Sequence, residues 1–287
     1  MRSKIEAWLR LARIEHSFIT FTAVVLGQAV AIGATRFLTI LPTAVFSAIG
    51  PALITAAAFI LNDWAGYESD RKNGRKDRPL VAGVIDRKSA LYASIVLFLA
   101  GLLLVIPLAN TLLFLIAAIY VLLSIAYDPL LKKLPLVGNV FIAASMAIPF
   151  VYGNFVVLPD SLDLRVVLLV LIAVFAGIGR ELIITLRDVK GDRAIGAKTL
   201  PMILGPRRTA MAATYFIVVA VGISFIPAQT WGKSFLYVPA VLVADALFLK
   251  TVVEIMHNQK QETLAKARNR TLLAMAIGTL AFAGLAL

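Results

Sequence analysis

A chain of 287 residues that is 60% hydrophobic, with a mean hydropathy of +0.90, is too apolar for a water-soluble protein. The absence of cysteine excludes disulfides, thiolate metal sites and cysteine nucleophiles. The net charge of +12 does not predict a nucleic-acid partner, because the cations lie between apolar segments and suit anionic lipid head groups.

The chain begins with charged and apolar residues in alternation, which differs from a cleavable signal sequence. Residues 1–15 are predicted to form an amphipathic helix at the membrane interface. Nine later segments have about the 20 apolar residues that a membrane-spanning helix needs, namely 17–35, 41–61, 89–108, 110–127, 136–156, 164–186, 208–227, 235–255 and 269–287. We therefore expect one all-α, polytopic membrane domain over residues 1–287.

Basic residues orient the predicted helices. Of the 28 Lys and Arg residues, all but Arg36, Arg165 and Lys233 lie in the N-terminal segment or around every second connection. The positive-inside rule predicts a multi-pass protein of the cell membrane with a cytoplasmic N-terminus, and nine spans place the C-terminus outside. The loops predicted at 62–88 and 187–207 then lie on the cytoplasmic side.

Two acidic stretches end predicted helices four spans apart, and we call residues 62–70 the first motif and residues 187–192 the second motif. Each is followed by basic residues. In the first motif Asp63 and Asp70 are seven residues apart and share a helix face. Carboxylates spaced in this way are hard ligands that suit Mg²⁺. The equivalent positions predict two four-helix units plus a ninth helix around a central cavity.

Each acidic motif has an alternative role as a helix end whose carboxylates pair with neighbouring arginines. Glu181 lies seven residues before Asp188 and deeper in its span, where a charge is costly. It has either a functional role or an ion pair with Arg180 or Arg187. A transporter would also use intramembrane acids, but more often at mid-span on broken helices than at helix ends beside basic loops.

The motifs resemble those of the UbiA superfamily of intramembrane prenyltransferases. Residues 62–70 match the family's Asn-Asp-x-x-Asp-x-x-x-Asp pattern, except that Gly66 stands at the position that is usually the second Asp of that pattern. Asp188 and Asp192 match its Asp-x-x-x-Asp pattern. Either Glu68 compensates for Gly66, or the metal is held in this motif without a third carboxylate.

Flanking segments agree with this family as well. Residues 78–80 after the first motif, residues 191–201 after the second, and the Tyr/Lys segment at 127–133 all resemble family sequences. The resemblance covers nearly the whole chain, including the number of helices. It implies Mg²⁺-dependent transfer of a prenyl group, expected to be geranylgeranyl, from an isoprenyl diphosphate to a lipophilic acceptor.

The resemblance also implies roles for individual residues. Catalytic roles fall to four aspartates and a tyrosine: Asp63, Asp70, Asp188, Asp192 and Tyr127. The same aspartates with Asn62 would hold Mg²⁺, expected to be two ions. Cations expected to bind the diphosphate, or else to anchor the chain at the membrane surface, are Arg13, Arg71, Arg78, Lys132 and Lys133. Further candidates are Glu68, Glu181, Tyr67 and Lys198.

The prenyl cation formed in such a reaction needs a dry pocket lined by aromatic side chains. Tyr67, Tyr120, Tyr127 and Tyr152 are candidates for that lining, with ordinary packing as the alternative. Residues 191–201 look most like archaeal members that alkylate geranylgeranylglyceryl phosphate in ether-lipid synthesis. The alternative acceptor is an aromatic quinone precursor of the hydroxybenzoate or naphthoate type. No oligomeric state is predicted.

Overall fold

The computed structural model describes residues 4–72, 74–194, 196, 198–231 and 234–286, and those residues contain no β-strand. They form thirteen α-helices, in chain order α1 (Lys4–Leu11), α2 (Ile14–Ile32), α3 (Ala34–Thr39), α4 (Leu41–Ala65), α5 (Tyr67–Lys72), α6 (Arg87–Leu103), α7 (Thr111–Tyr127), α8 (Val137–Val157), α9 (Leu164–Ala194), α10 (Leu200–Leu204), α11 (Pro206–Thr230), α12 (Ser234–His257) and α13 (Gln261–Ala286). The all-α prediction is confirmed.

Eight helices of the described chain are long and apolar enough to cross a membrane, namely α2, α4, α6, α8, α9, α11, α12 and α13. The helix at the fourth predicted span, α7, is also apolar but has only 17 residues. At about 1.5 Å per residue it is roughly 26 Å long, near the lower limit for a membrane-spanning helix.

Contacts at both ends show that α7 runs the full length of the bundle. Just after its C-terminus, Asp128 accepts a hydrogen bond from Asn62 of α4 at 2.8 Å. At its N-terminus, Asn110 caps the helix and donates to the carbonyl of Phe155 near the far end of α8 at 3.2 Å. The predicted succession of nine long helices therefore holds over the described residues.

The long helices form a closed ring in which most neighbours in sequence are neighbours in space. α2 packs on α4 and α8, the helices from α8 to α13 pack in order, and α13 returns to contact α2. Glycine allows the closest approach: a Cβ at Gly27 would overlap the backbone of Phe150, and a Cβ at Gly153 would overlap the backbone of Val24. The backbones of α2 and α8 are therefore in contact at the middle of the ring.

Two cavities lie inside the bundle. The first cavity, of about 370 Å³, lies between α2, α4, α7 and α8. The second cavity, of about 450 Å³, lies between α9, α11, α12 and α13. In the predicted repeat of four long helices, α4, α7 and α8 correspond to α9, α12 and α13, so three of the four walls of each cavity occupy equivalent positions.

The N-terminal segment differs from the single interfacial helix expected over residues 1–15. α1 ends at Leu11, and Arg13 has a left-handed backbone (φ 44°) before α2 begins. Ala7 and Leu11 are buried in a cluster with Ile60 of α4. The helix is interrupted between α1 and α2 because α1 packs against the bundle, while the side chain of Arg13 is directed into the bundle.

The loops expected at 62–88 and 187–207 begin later than predicted. α4 continues to Ala65 and α5 adds another turn and a half, so the first motif is largely helical. α9 continues to Ala194, so the second motif lies within a helix. Ion pairs with arginine neutralise the carboxylates, which allows the helices to extend beyond the apolar segments.

Candidate active site

Asp63 is the buried carboxylate of the first motif, with 5% of its surface exposed. Arg78 Nη1 donates to both of its oxygens at 3.0 and 3.1 Å, and Arg13 Nη2 donates to Oδ1 at 3.2 Å. Arg78 Nε also lies 3.8 Å from Asp70 Oδ2. Asp63 and Asp70 therefore both lie near one guanidinium group, in agreement with the shared helix face that their spacing predicted.

Arg13 is held at this site by more than its ion pair. Its guanidinium carbon lies 4.5 Å from the centre of the Phe59 ring, close enough for a cation–π contact. Burial lowers the pKa of Arg13, and the charge of Arg78 acts in the same direction, whereas Asp63 opposes the change. Two cations thus meet at one buried carboxylate, which leaves positive charge available for an anion.

Asp128 joins the first motif to the 127–133 segment. It accepts from Asn62 Nδ2 at 2.8 Å and from Lys132 Nζ at 3.2 Å. Sequence reasoning did not select Asp128, although it directly follows Tyr127 in a segment already singled out. An acidic residue at the end of an apolar helix, four residues before a lysine, was the signal that could have identified it.

The second motif faces the same space from the other half of the ring. Arg187 forms a two-point ion pair with Asp188 at 2.7 and 2.8 Å. Burial and the nearby charge of Asp188 raise the pKa of Asp192, while the charge of Lys132 opposes that change. Lys132 therefore bonds to Asp128 and lies within electrostatic range of Asp192 in the other half.

Tyr127 and Glu181 lie deeper between the two halves. The Tyr127 ring packs 5.2 Å from that of Phe141, and Tyr127 lies within electrostatic range of Glu181, Asp128 and Asp192. Arg180 donates to Glu181 at 2.8 Å, so the expected ion pair is present. Both side chains of that pair are largely buried.

The remaining predicted residues lie outside this cluster. Glu68 pairs with Arg71 at 3.1 Å and Arg87 at 3.6 Å, and these arginines cover the Tyr67 ring. Glu68 therefore does not occupy the place of the acid missing at Gly66. Lys198 is exposed.

Lys133 also belongs to the predicted diphosphate cations. Only its backbone, in a short 3₁₀ turn that follows Leu130, is among the described residues. Its side chain lies outside the described part of the structure, so the expected contact with diphosphate stays a prediction.

The carboxylates of the two motifs suit a divalent metal, because they offer oxygen ligands and because a cation would relieve the repulsion between them. In the described part of the chain, no three acidic or histidine side chains form a ready-made metal site. In this structure, arginines neutralise the carboxylates Asp63 and Asp188. The donor set is nevertheless all oxygen, and Asp188 and Asp192 lie close enough to repel each other, which a hard cation would relieve.

The first cavity lies closer to the middle of the bundle than the charged cluster does. Thr55 and Tyr120 line it, eight residues before Asp63 on α4 and seven before Tyr127 on α7. Two helical turns correspond to about 11 Å. Tyr152 lines the same cavity, so two of the four predicted aromatic residues are there. The apolar cavity therefore lies about two helical turns from the charged cluster.

Known proteins resemble the chain over almost all of its length. Residues 18–283 match the model of the UbiA prenyltransferase family. A digeranylgeranylglyceryl phosphate synthase of Archaeoglobus fulgidus is 32% identical over 285 residues, which cover 98% of this chain and 96% of that protein.

Two solved structures are also similar. One is a structure from work on digeranylgeranylglyceryl phosphate synthase in membranes. It has a TM-score of 0.80 at 25% identity, and the match covers 99% of this chain and 98% of that one. A UbiA homolog from A. fulgidus bound to GPP and Mg²⁺ has a TM-score of 0.63 at 18% identity, covering 96% of this chain and 99% of that one.

Proposed function

Because the chain belongs to the UbiA prenyltransferase family, we propose that it transfers a geranylgeranyl group from its diphosphate to geranylgeranylglyceryl phosphate. The named synthase that aligns along nearly the whole chain supports this acceptor. The homolog bound to GPP and Mg²⁺ supports the diphosphate donor and the metal. The observation that carries the proposal is the link between the two motifs: Asn62 of the first motif bonds to Asp128, Asp128 bonds to Lys132, and Lys132 lies within electrostatic range of Asp192 of the second motif.

The diphosphate lies between the two motifs in this proposal. Arg13, Arg78 and Lys132 are the cations already directed there. Mg²⁺ held by Asn62, Asp63, Asp70, Asp188 and Asp192 would supply Lewis-acid stabilisation of the diphosphate as the allylic carbon–oxygen bond breaks. When the diphosphate draws away the two guanidinium groups, Asp63 is released for its ligand role.

The donor chain occupies the first cavity. Its lining is apolar apart from a few hydroxyl groups, so water is kept from the allylic carbon while the acceptor oxygen approaches. Tyr120 and Tyr152 offer ring faces and edges to the positive charge that develops there. The acceptor oxygen forms the new carbon–oxygen bond, diphosphate leaves with the electrons of the broken bond, and the hydroxyl proton passes to the released diphosphate.

The active site belongs to the cytoplasmic side in this proposal. The positive-inside distribution supports that orientation, with the N-terminus in the cytoplasm and the C-terminus outside. The exposed side chains of Arg71 and Lys198 suit the lipid head groups at that surface. Two Mg²⁺ ions are proposed because the oxygen ligands come from two separate helix ends.

The proposal is tested with purified protein, geranylgeranyl diphosphate, Mg²⁺ and three acceptors: geranylgeranylglyceryl phosphate, hydroxybenzoate and dihydroxynaphthoate. We expect mass spectrometry to detect the ether product, and we expect EDTA to abolish diphosphate release. Prenylation of only an aromatic acceptor would replace the proposed acceptor. Undiminished turnover in EDTA would contradict the metal-dependent reaction.

A further inference from the structure

The second cavity has no part in the donor site just described. It is lined mostly by aliphatic and aromatic groups. Its main polar groups bond to one another: Ser224 Oγ donates to Asp245 Oδ2 at 2.8 Å, and Tyr237 Oη donates to the Ser224 carbonyl at 2.8 Å. The remaining surface is apolar and suits a hydrocarbon.

Two arginines lie on the helices that wall this cavity, between it and the acidic motifs. Arg180 is four residues beyond Ala176 and eleven beyond Leu169, both of which line the cavity from α9. Arg268 precedes Met275, a lining residue of α13, by seven residues. These spacings place each arginine on the cavity-facing side of its helix.

Arg180 has unused hydrogen-bonding capacity in a buried position. Only 7% of its surface is exposed, and its Nε is buried without a hydrogen-bond partner among the described residues. Glu181 takes one of its donors, and Arg268 lies within electrostatic range of both residues. An unpaired buried donor beside a second cation is suited to an anionic oxygen.

We propose that this region is the acceptor site: the phosphate of the acceptor binds Arg180 and Arg268, and its isoprenoid chain fills the second cavity. This inference rests on the proposed function and adds where the second substrate binds. From Arg180 to Leu169, α9 rises about 16 Å, a depth that suits a long chain rather than a single aromatic ring.

The two cavities explain how one bundle holds two long substrates. An enzyme that joins two isoprenoid lipids needs two apolar spaces, whereas prenylation of a compact ring needs one. The acceptor head lies next to the donor site, because Glu181 is within electrostatic range of Tyr127 and Asp188. Each chain then extends into its own half of the ring.

The chain part of the site is tested with Gly278→Leu. A Cβ at Gly278 meets only the Cβ of Ala244, at 3.9 Å, so a larger side chain enters the second cavity without striking backbone. Gly222→Leu is the matched control, because Gly222 is exposed on α11 and a Cβ added there would meet no described atom within 4 Å. Circular dichroism and thermal unfolding establish that both variants fold.

We expect Gly278→Leu to raise KM for geranylgeranylglyceryl phosphate about tenfold and to leave KM for the donor within about twofold. For geranylglyceryl phosphate, an acceptor with a chain half as long, the same variant should raise KM much less. Gly222→Leu should change neither constant. An equal penalty on short and long acceptors, or a change confined to the donor KM, would overturn the proposal.

The head-group part is tested with Arg268→Ala. Arg268 is exposed, so its loss leaves the core intact, and Lys266→Ala removes an exposed cation from the same helix as a control. We expect about a tenfold rise in KM for the phosphorylated acceptor and none for the donor. The preference for that acceptor over neutral geranylgeranylglycerol should fall in this variant only.

The wild-type protein separates failure of this inference from failure of the proposed function. If it does not form the ether product from geranylgeranylglyceryl phosphate, the proposed function fails and the acceptor site fails with it. If it forms that product but the variants retain wild-type discrimination for chain length and phosphate, only the acceptor-site inference is wrong.

Discussion

The two acidic motifs both place aspartates at helix ends, but different contacts hold their carboxylates. Asp63 is buried and bonds to arginines 50 and 15 residues away, which come from before α2 and from the loop after α5. Asp188 bonds to the adjacent Arg187, and its side chain is 42% exposed. Long-range ion pairs therefore hold the Asp63 carboxylate, whereas the Asp188 carboxylate pairs with its neighbour, and the long-range bond to the second motif goes from Gln261 to the backbone carbonyl of Arg187.

This difference separates the contribution of each carboxylate to the stability of the fold from its contribution to activity. Removal of a carboxylate that neutralises two partly buried arginines leaves their charges unpaired, which destabilises the fold as well as removing a ligand. An exposed carboxylate that pairs with its neighbour contributes little to stability. Equivalent substitutions in the two motifs should therefore have similar effects on activity and different effects on folding.

The largest effect is expected for Asp63→Ala compared with Asp188→Ala. Both should lower the rate of prenyl transfer at least a hundredfold, because each removes a proposed metal ligand. Asp63→Ala should also destabilise the protein by about 3 kcal/mol, since Arg13 and Arg78 lose their common partner. The free energy of unfolding of Asp188→Ala should differ from that of the wild type by no more than about 0.5 kcal/mol. Activity assays and thermal unfolding in detergent measure both quantities, and equal loss of stability would contradict the comparison.

A smaller effect is expected for Arg78→Ala, which removes the group shared by Asp63 and Asp70. The rate should fall about thirtyfold, corresponding to a lost charge-assisted contact of about 2 kcal/mol. Arg71→Ala is the control, because Arg71 is exposed and pairs only with Glu68 among the described acids. Steady-state kinetics with varied donor concentration distinguish the two, and a comparable loss for Arg71→Ala would mean that the diphosphate lies elsewhere.

Lys132 tests whether the two motifs share one cation. We expect Lys132→Ala to raise KM for the donor about tenfold, because Lys132 bonds to Asp128 and lies within electrostatic range of Asp192. Asp128→Asn should give a smaller rise, since it weakens the positioning of Lys132 and leaves the cation present. A larger effect for Asp128→Asn than for Lys132→Ala would assign the direct role to Asp128.

The smallest effect is expected for Gly66→Asp, which restores the acid of the family pattern. Gly66 has an ordinary helical backbone, and its Cβ would lie 3.9 Å from Asp70 Oδ2. An added carboxylate should increase the affinity for Mg²⁺ about threefold, at a small cost in metal-free stability from repulsion between like charges. Titration of activity with Mg²⁺ measures the change, and unchanged affinity would show that position 66 is not a ligand position.

Local sequence patterns predicted the helices and the motif residues well. Apolar segments of membrane-spanning length predicted the nine long helices, because a bilayer requires a continuous apolar surface and internally satisfied backbone groups. Spacing within a helix correctly indicated that Asp63 and Asp70 converge. The role of Glu68 could not be decided in this way, since spacing does not reveal that its carboxylate pairs with Arg71 and Arg87.

The sequence by itself therefore determined the membrane class, the helix order and the acidic motifs, since each depends on residues close together in the chain. Only the tertiary structure decided that Arg13 and Arg78 meet at Asp63 and that Asp128 joins Asn62 to Lys132. It also placed one apolar cavity in each half of the described bundle. These features arise from packing between helices that are distant in sequence, and no local spacing encodes which of them will be neighbours.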